Sequence, residues 1–196
     1  MLDEIANMTE LDLTTIDAIA IAAGPGSFTG LRIGSATAKG LGLALKKPLI
    51  SIPTVDALAY NLYGTDRLIC PIMDARRNQV YAAFYMWENG KLIRLTDHMA
   101  ESIERVIEIA EMLEHEVIFL GDGVPVHRER LEQNPAFLFA PAHCNMQRAS
   151  AVAALGAIMA EEGLAKPGNA FELIYLRKSQ AEREREARLA KEEAGE

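Results

Sequence analysis

The chain is poor in thiols, aromatic rings and net positive charge, and each shortage removes a class of function. Only Cys70 and Cys144 are present, far apart and without a C-x-x-C pair, so neither a zinc ribbon nor a thioredoxin-type motif is encoded. No secretory n-region and h-region open the chain, and two reduced thiols in a cytoplasmic protein are the expectation. The formal net charge of -8 leaves no basic footprint for gripping a nucleic-acid backbone alone, so any RNA contact needs help from another subunit. No apolar run approaches the eighteen or so residues that span a bilayer, and no membrane role is expected.

Catalytic signatures are equally scarce. His98, His115, His127 and His143 never form an i, i+4 pair, which argues against a helical metal site and for surface or capping roles. No H-x-x-x-H occurs, and no nucleophile has a convincing base. Ser27 sits in a strand-to-helix turn like a nucleophile elbow, but its surroundings do not meet G-x-S-x-G. No catalytic residue is assigned.

What the sequence does contain is Gly24-Pro25-Gly26-Ser27-Phe28-Thr29-Gly30, set between an apolar run from Ala18 to Ala23 and a helix-like run from Leu31 to Leu45. A Walker A loop would need Lys and then Ser or Thr after its last glycine, and Leu31-Arg32 stands there instead. Gly24-x-Gly26 resembles only part of a dinucleotide fingerprint, because Thr29 takes the third glycine position and no acid ends the following strand. Gly30, Gly34, Ala38 and Gly42 recur every four residues and lie along one stripe of the helix. Glycine in a helix costs about 1 kcal/mol against alanine, so close backbone approach must compensate. Two readings stay open: an internal helix packed on its own sheet, or a helix shared with a partner chain.

The remaining chain alternates strand and helix patterns. Met1 to Glu10 reads as the tail of an amphipathic helix, Leu49 to Ile52 as a short strand, and Val55 to Tyr63 as a helix capped by Thr54. Leu68 to Met73, Val80 to Trp87 and Lys91 to Leu95 form an antiparallel meander. A helix from Ser102, a strand from Val117 to Leu120, a helix near Val126 to Glu132, a strand near Leu138 to Ala140 and a helix from Ser150 to Glu162 follow. This order predicts a mixed-sheet α/β fold. From Ser179 the charges alternate in sign, as in a solvated helix or frayed tail. Asp74, which ends a strand before Arg76-Arg77, could hold a phosphate or a metal, or form a turn-stabilising ion pair. Gly121-Asp122-Gly123 has the same ambiguity at the carboxyl end of its strand.

Five stretches carry a resemblance: Ala23 to Gly34, Ala38-Lys39-Gly40-Leu41, Pro71 to Arg77, Gly121-Asp122-Gly123 and Tyr175 to Glu182. In order and spacing the chain resembles the TsaB (YeaZ) family of tRNA threonylcarbamoyladenosine biosynthesis proteins. The resemblance implies an actin-like ATPase superfamily (ASKHA) fold of two RNase H-like halves, with residues 1–52 a remnant of the first half, 53–178 the second half and 179–196 a charged tail. It implies a chain that starts late, inside the first interface helix and without the family's opening strands, so that the strand from Ala18 to Ala23 has an unpaired edge. It also implies a non-catalytic scaffold that forms a heterodimer with the catalytic paralogue TsaD, joined by the ATPase TsaE, for tRNA modification next to the anticodon. ATP would be used by the complex, with no cofactor or metal on this chain. A homodimer through the same helix face is a further expectation. The partner surface expected on this basis comprises Leu2, Ile5, Phe28, Gly30, Leu31, Ile33, Gly34, Thr37, Ala38 and Leu41, with Asp74, Arg76, Gly121, Asp122 and Gly123 as ligand-binding candidates. The alternative is a stand-alone ATP-binding phosphotransferase or glycopeptidase-like enzyme of the same superfamily.

Overall fold

The computed structural model describes residues 2–176. The pattern of polar and apolar residues along the chain translates into two sheets. Helix α1 (Leu2–Met8) leads, through a short 3-10 turn, to strand β1 (Ile19–Gly24). That turn is set by Asp12, whose carboxylate accepts hydrogen bonds from the Thr14 amide and hydroxyl. Helix α2 (Phe28–Leu45) then connects β1 to β2 (Leu49–Pro53), which lies parallel to β1 with Ile19 beside Leu49 and Ile21 beside Ser51. Among the described residues these two strands form a sheet of their own.

β1 is apolar throughout because both of its faces are covered. Ile19, Ile21 and Ala23 pack with Ala38, Leu49 and Phe171, while Ala18 and Ala20 pack with Ile50, Ile52, Val152 and Leu155. The second set meets helix α6 (Ala149–Glu161), which returns from far along the chain to cover the small sheet. α2 starts three residues earlier than expected, because Ser27 Oγ accepts from the Gly30 amide at 3.3 Å and caps it. It ends at Lys46, in the left-handed region at φ 54°, whose amide closes on the Gly42 and Leu43 carbonyls.

The larger sheet has seven strands around β3 (Leu68–Asp74). Leu68, Cys70 and Ile72 face one core, and Ile69 and Met73 face another, which explains the unbroken apolar run. β3 pairs antiparallel with β4 (Gln79–Ala82) and β5 (Tyr85–Glu88), and parallel with β8 (Val117–Leu120), which in turn pairs with β9 (Phe137–Phe139). β6 (Lys91–Arg94) lies on β5 and β7 (Met99–Ser102) on β4.

The expected three-strand meander is present, but its middle strand is broken. Ile72 faces Ala82 and Ile69 faces Tyr85 in a single register, so β4 and β5 are one ribbon interrupted at Ala83 and Phe84. Opposite the break, the Phe84 carbonyl accepts from the Leu95 amide and the Phe84 amide donates to Thr96 Oγ1. The partner strand thus carries extra residues between β6 and β7, a bulge that curls the sheet. β7 was not expected from the sequence, because its four residues follow the polar Thr96-Asp97-His98.

Helix α3 (Thr54–Ala59) covers one face of this sheet, and α4 (Ile103–Met112) and α5 (Gly123–Leu131) cover the other. α4 is capped by Ser102, whose Oγ accepts from the Arg105 amide at 3.2 Å. Thr54 does not cap α3, contrary to expectation. It is the first residue of the helix, and its Oγ1 is buried without a partner. α5 begins at Gly123, three residues before the expected start. The charged tail from Ser179 lies outside the described residues.

Candidate functional site

From Gly34 onward the glycine stripe of α2 turns inward. A Cβ at Gly34 would touch Ile21 Cδ1 at 3.7 Å, Ala38 is 5% exposed in the core, and a Cβ at Gly42 would lie 2.9 Å from the Lys47 carbonyl oxygen. The stripe therefore seats α2 on its own sheet, and Ala38 is corrected from a partner contact to a core residue. Its side chain is consumed by Ala23, Leu49 and Phe171.

The other candidates divide by face. Leu2 and Ile5 on α1 are exposed, as are Phe28, Gly30, Ile33 and Thr37 on α2; Leu31, Gly34 and Leu41 are half-buried. Met8 and Leu43 are exposed by 85% and 83%. Phe28 is held in place by Arg32, whose guanidinium lies 4.0 Å from the ring centre, and by Tyr175, 5.7 Å away between centroids. The Thr37 hydroxyl is occupied, donating to the Ile33 carbonyl at 2.9 Å.

The ligand candidates behave differently from one another. The Asp74 amide donates to Asp122 Oδ1 at 3.1 Å, so the structure brings the two strand ends together. Asp74 in turn accepts from the Arg76 amide at 2.8 Å, and its other oxygen lies 3.4 Å from the Arg76 guanidinium. Gly121 and Gly123 are required as glycines by packing. Both are buried, and a Cβ at either would run into the Ile72 carbonyl of β3. Gly121 also adopts φ +110°, a backbone that side chains rarely follow, and its amide donates to Asn145 Oδ1 at 3.0 Å.

Asp74 and Arg76 instead line a cleft of about 390 Å³ between the β3–β4 turn and α5, together with Arg77, Asn78, His127 and Arg130. Arg76, Arg77 and Asn78 are all left-handed, at φ 66°, 55° and 59°. Glu104 on α4 accepts from Asn78 Nδ2 and from the Arg130 guanidinium. His127 is buried rather than superficial, its Nε2 lacks a partner among the described residues, and burial lowers its pKa below the usual histidine value, with Asp74 opposing. The periodicity that found the core could have placed it, because Val124, His127 and Leu131 share one face of α5.

His98 is the second histidine misjudged as superficial. Its Nε2 lies 2.5 Å from Asp56 Oδ1, the oxygen that also accepts the Tyr85 hydroxyl at 2.6 Å. Burial, and then the Asp56 charge, push the Tyr85 phenol far above its ordinary pKa. His115 and His143 are exposed, as expected. Among the described residues no three His, Cys, Asp or Glu side chains are grouped to hold a metal ion, and no helix is long and apolar enough to cross a membrane.

The comparisons with known proteins converge. The family described as TsaD, tRNA N6-adenosine threonylcarbamoyltransferase, matches residues 1–184. The tRNA threonylcarbamoyladenosine biosynthesis protein TsaB of Bacillus subtilis is 37% identical over 114 residues, 58% of this chain and 50% of that protein. TsaB of Escherichia coli is 35% identical over 127 residues, 63% of this chain and 54% of that protein. The chain thus spans about half the length of the curated relatives it matches. A crystal structure from Pseudomonas aeruginosa, described as an uncharacterized protein with similarity to peptidase YEAZ, superposes with TM-score 0.77 at 26% identity, covering 90% of this chain and 81% of that one. YeaZ from the same organism superposes with TM-score 0.74 at 24% identity, covering 89% and 81%, a likeness of fold. The mixed α/β architecture with its curled antiparallel sheet is the one these structures share, and the chain belongs to the TsaD threonylcarbamoyltransferase family in the broad sense, as a member of its TsaB (YeaZ) group.

Proposed function

We propose that this chain is a non-catalytic scaffold subunit of the tRNA threonylcarbamoyladenosine-forming system, pairing with the catalytic paralogue TsaD through α1 and the outer face of α2. One observation carries the reading: large apolar side chains that a lone subunit gains nothing by exposing stand outside on these two helices. Leu2 is 54% exposed, Ile5 50%, Phe28 42% and Ile33 63%. Such anchors favour burial against another chain. The docking set is Leu2, Ile5, Phe28, Gly30, Ile33 and Thr37, with Leu31, Gly34 and Leu41 at its inner margin.

On this reading the ATPase TsaE joins the pair, ATP is used by the complex, and tRNA is reached through the other subunits, which suits a chain of net charge -8. The working compartment is the cytoplasm. The two sheets correspond to two RNase H-like halves of an actin-like superfamily fold, residues 1–52 belonging to the first and 53–178 to the second. Residues 179–196 form an appended charged segment.

Light scattering on the chain mixed with TsaD tests the proposal. A one-to-one heterodimer is expected. No heterodimer, together with ATP turnover by the chain alone, overturns it in favour of a free-standing enzyme.

A further inference from the structure

The cleft between the β3–β4 turn and α5 plays no part in the docking surface, and its internal bonding is incomplete. Asp74 is engaged by Arg76, and Glu104 by Asn78 and Arg130. Arg77 is exposed at the cleft and makes no hydrogen bond or ion pair with the described residues. At the same cleft the His127 imidazole, 5% exposed, leaves Nε2 buried and without a partner among the described residues. A buried polar atom without a partner is costly and uncommon, so its persistence asks for a group that completes it.

The wall carries the guanidiniums of Arg76, Arg77 and Arg130 against the carboxylates of Asp74 and Glu129. With Glu104 on Arg130 the local charges balance, and Arg77 is the guanidinium that no carboxylate among the described residues engages. Guanidinium groups around a small cleft suit an oxyanion, to which they donate charge-assisted hydrogen bonds. A tetrahedral anion can meet donors from the turn and from α5 at once, whereas a planar carboxylate presents two oxygens in one plane.

We propose that this cleft is a binding site for a terminal phosphoryl group, or a like tetrahedral dianion, held by Arg77 and Arg76 at its mouth and by His127 at its wall. A monoester end group suits the site better than a chain's internal phosphodiester, because it carries a second negative charge for the guanidiniums. An anion beside His127 favours the protonated imidazole, which then donates from both nitrogens. The groups facing it are Asp74 from β3, Arg76 and Arg77 from the turn, Glu129 and Arg130 from α5, and Glu104 from α4 through Arg130.

The test follows the His127 imidazole by NMR during a sulfate titration at constant ionic strength, since sulfate keeps its charge across the pH range used. A saturable shift of His127, absent from exposed His115 and His143, is the expected result. Arg77→Ala, at an exposed unpaired position, should weaken binding by at least about fivefold, and Arg76→Ala with Arg77→Ala should abolish it. Sulfate should bind more tightly as pH falls from about 8 to about 5.5, and His127→Gln should remove that dependence. In competition, glycerol phosphate should displace sulfate and dimethyl phosphate should not. A non-saturating shift, an unchanged affinity in the double arginine variant, or equal displacement by the diester overturns the proposal. None of these outcomes bears on heterodimer formation, which uses other residues.

Discussion

Gly156 on α6 lies directly against Ala20 of β1, so close that a Cβ on Gly156 would fall inside contact distance of the Ala20 Cβ. This pair fixes how near the returning helix sits to the small sheet, and it links a residue late in the chain to the first strand. Gly156→Ala should therefore destabilise the chain by about 1 to 3 kcal/mol, despite alanine's better helix propensity. Gly40→Ala is the control. No atom lies within 4 Å of a Cβ there, so the propensity gain should stabilise by up to about 1 kcal/mol. Urea midpoints for the two variants should move in opposite directions.

Replacing Ile33 by Asp separates docking from folding. Ile33 is exposed and contributes to no core cluster, so the melting temperature should change little. Affinity for TsaD should fall by more than about tenfold, as expected for an apolar anchor turned into a buried charge. Ala38→Asp should instead unfold the chain, because it buries that charge in the chain's own core. A pull-down with thermal denaturation of each variant distinguishes the two effects.

Stability should fall on acidification below about pH 6.5. His127 has a folded pKa below its unfolded value, so between the two values the unfolded chain binds the extra proton. The contribution is fully present above the unfolded pKa and is lost as pH drops through the folded one. His127→Gln should flatten this part of the curve in urea titrations repeated between about pH 5 and pH 8. An unchanged slope would mean that other groups govern it.

The two thiols should react at different rates. Cys70 is fully buried, and burial raises its pKa well above the ordinary thiol value, so little thiolate is available. Cys144 is half-buried in a 3-10 turn. Ellman's reagent should titrate Cys144 in the native chain, and Cys70 only when urea unfolds it.

Most elements were legible because their periodicity is local. β1 and β3 read as apolar runs since both faces are covered, and the alternation within β3 sends Cys70 and Ile72 to one core and Ile69 and Met73 to the other. The break at Ala83 and Phe84 was not legible. It depends on Leu95 and Thr96 arriving opposite it, and no local pattern encodes that meeting. The family was recognisable from the glycine-turn sequence, whose residues are dictated by one tight strand-to-helix turn.

By itself the sequence determined the order of most strands and helices, the start of α4 at Ser102, and the close-packed stripe along α2. Only the tertiary structure decided which way that stripe faces, that His127 is buried and His98 held against Asp56, and that Arg77, unpaired among the described residues, lines the same cleft as His127. Periodicity and capping are set by neighbours a few residues apart. Burial and pairing depend on segments brought together from distant parts of the chain, as Gly156 is to Ala20.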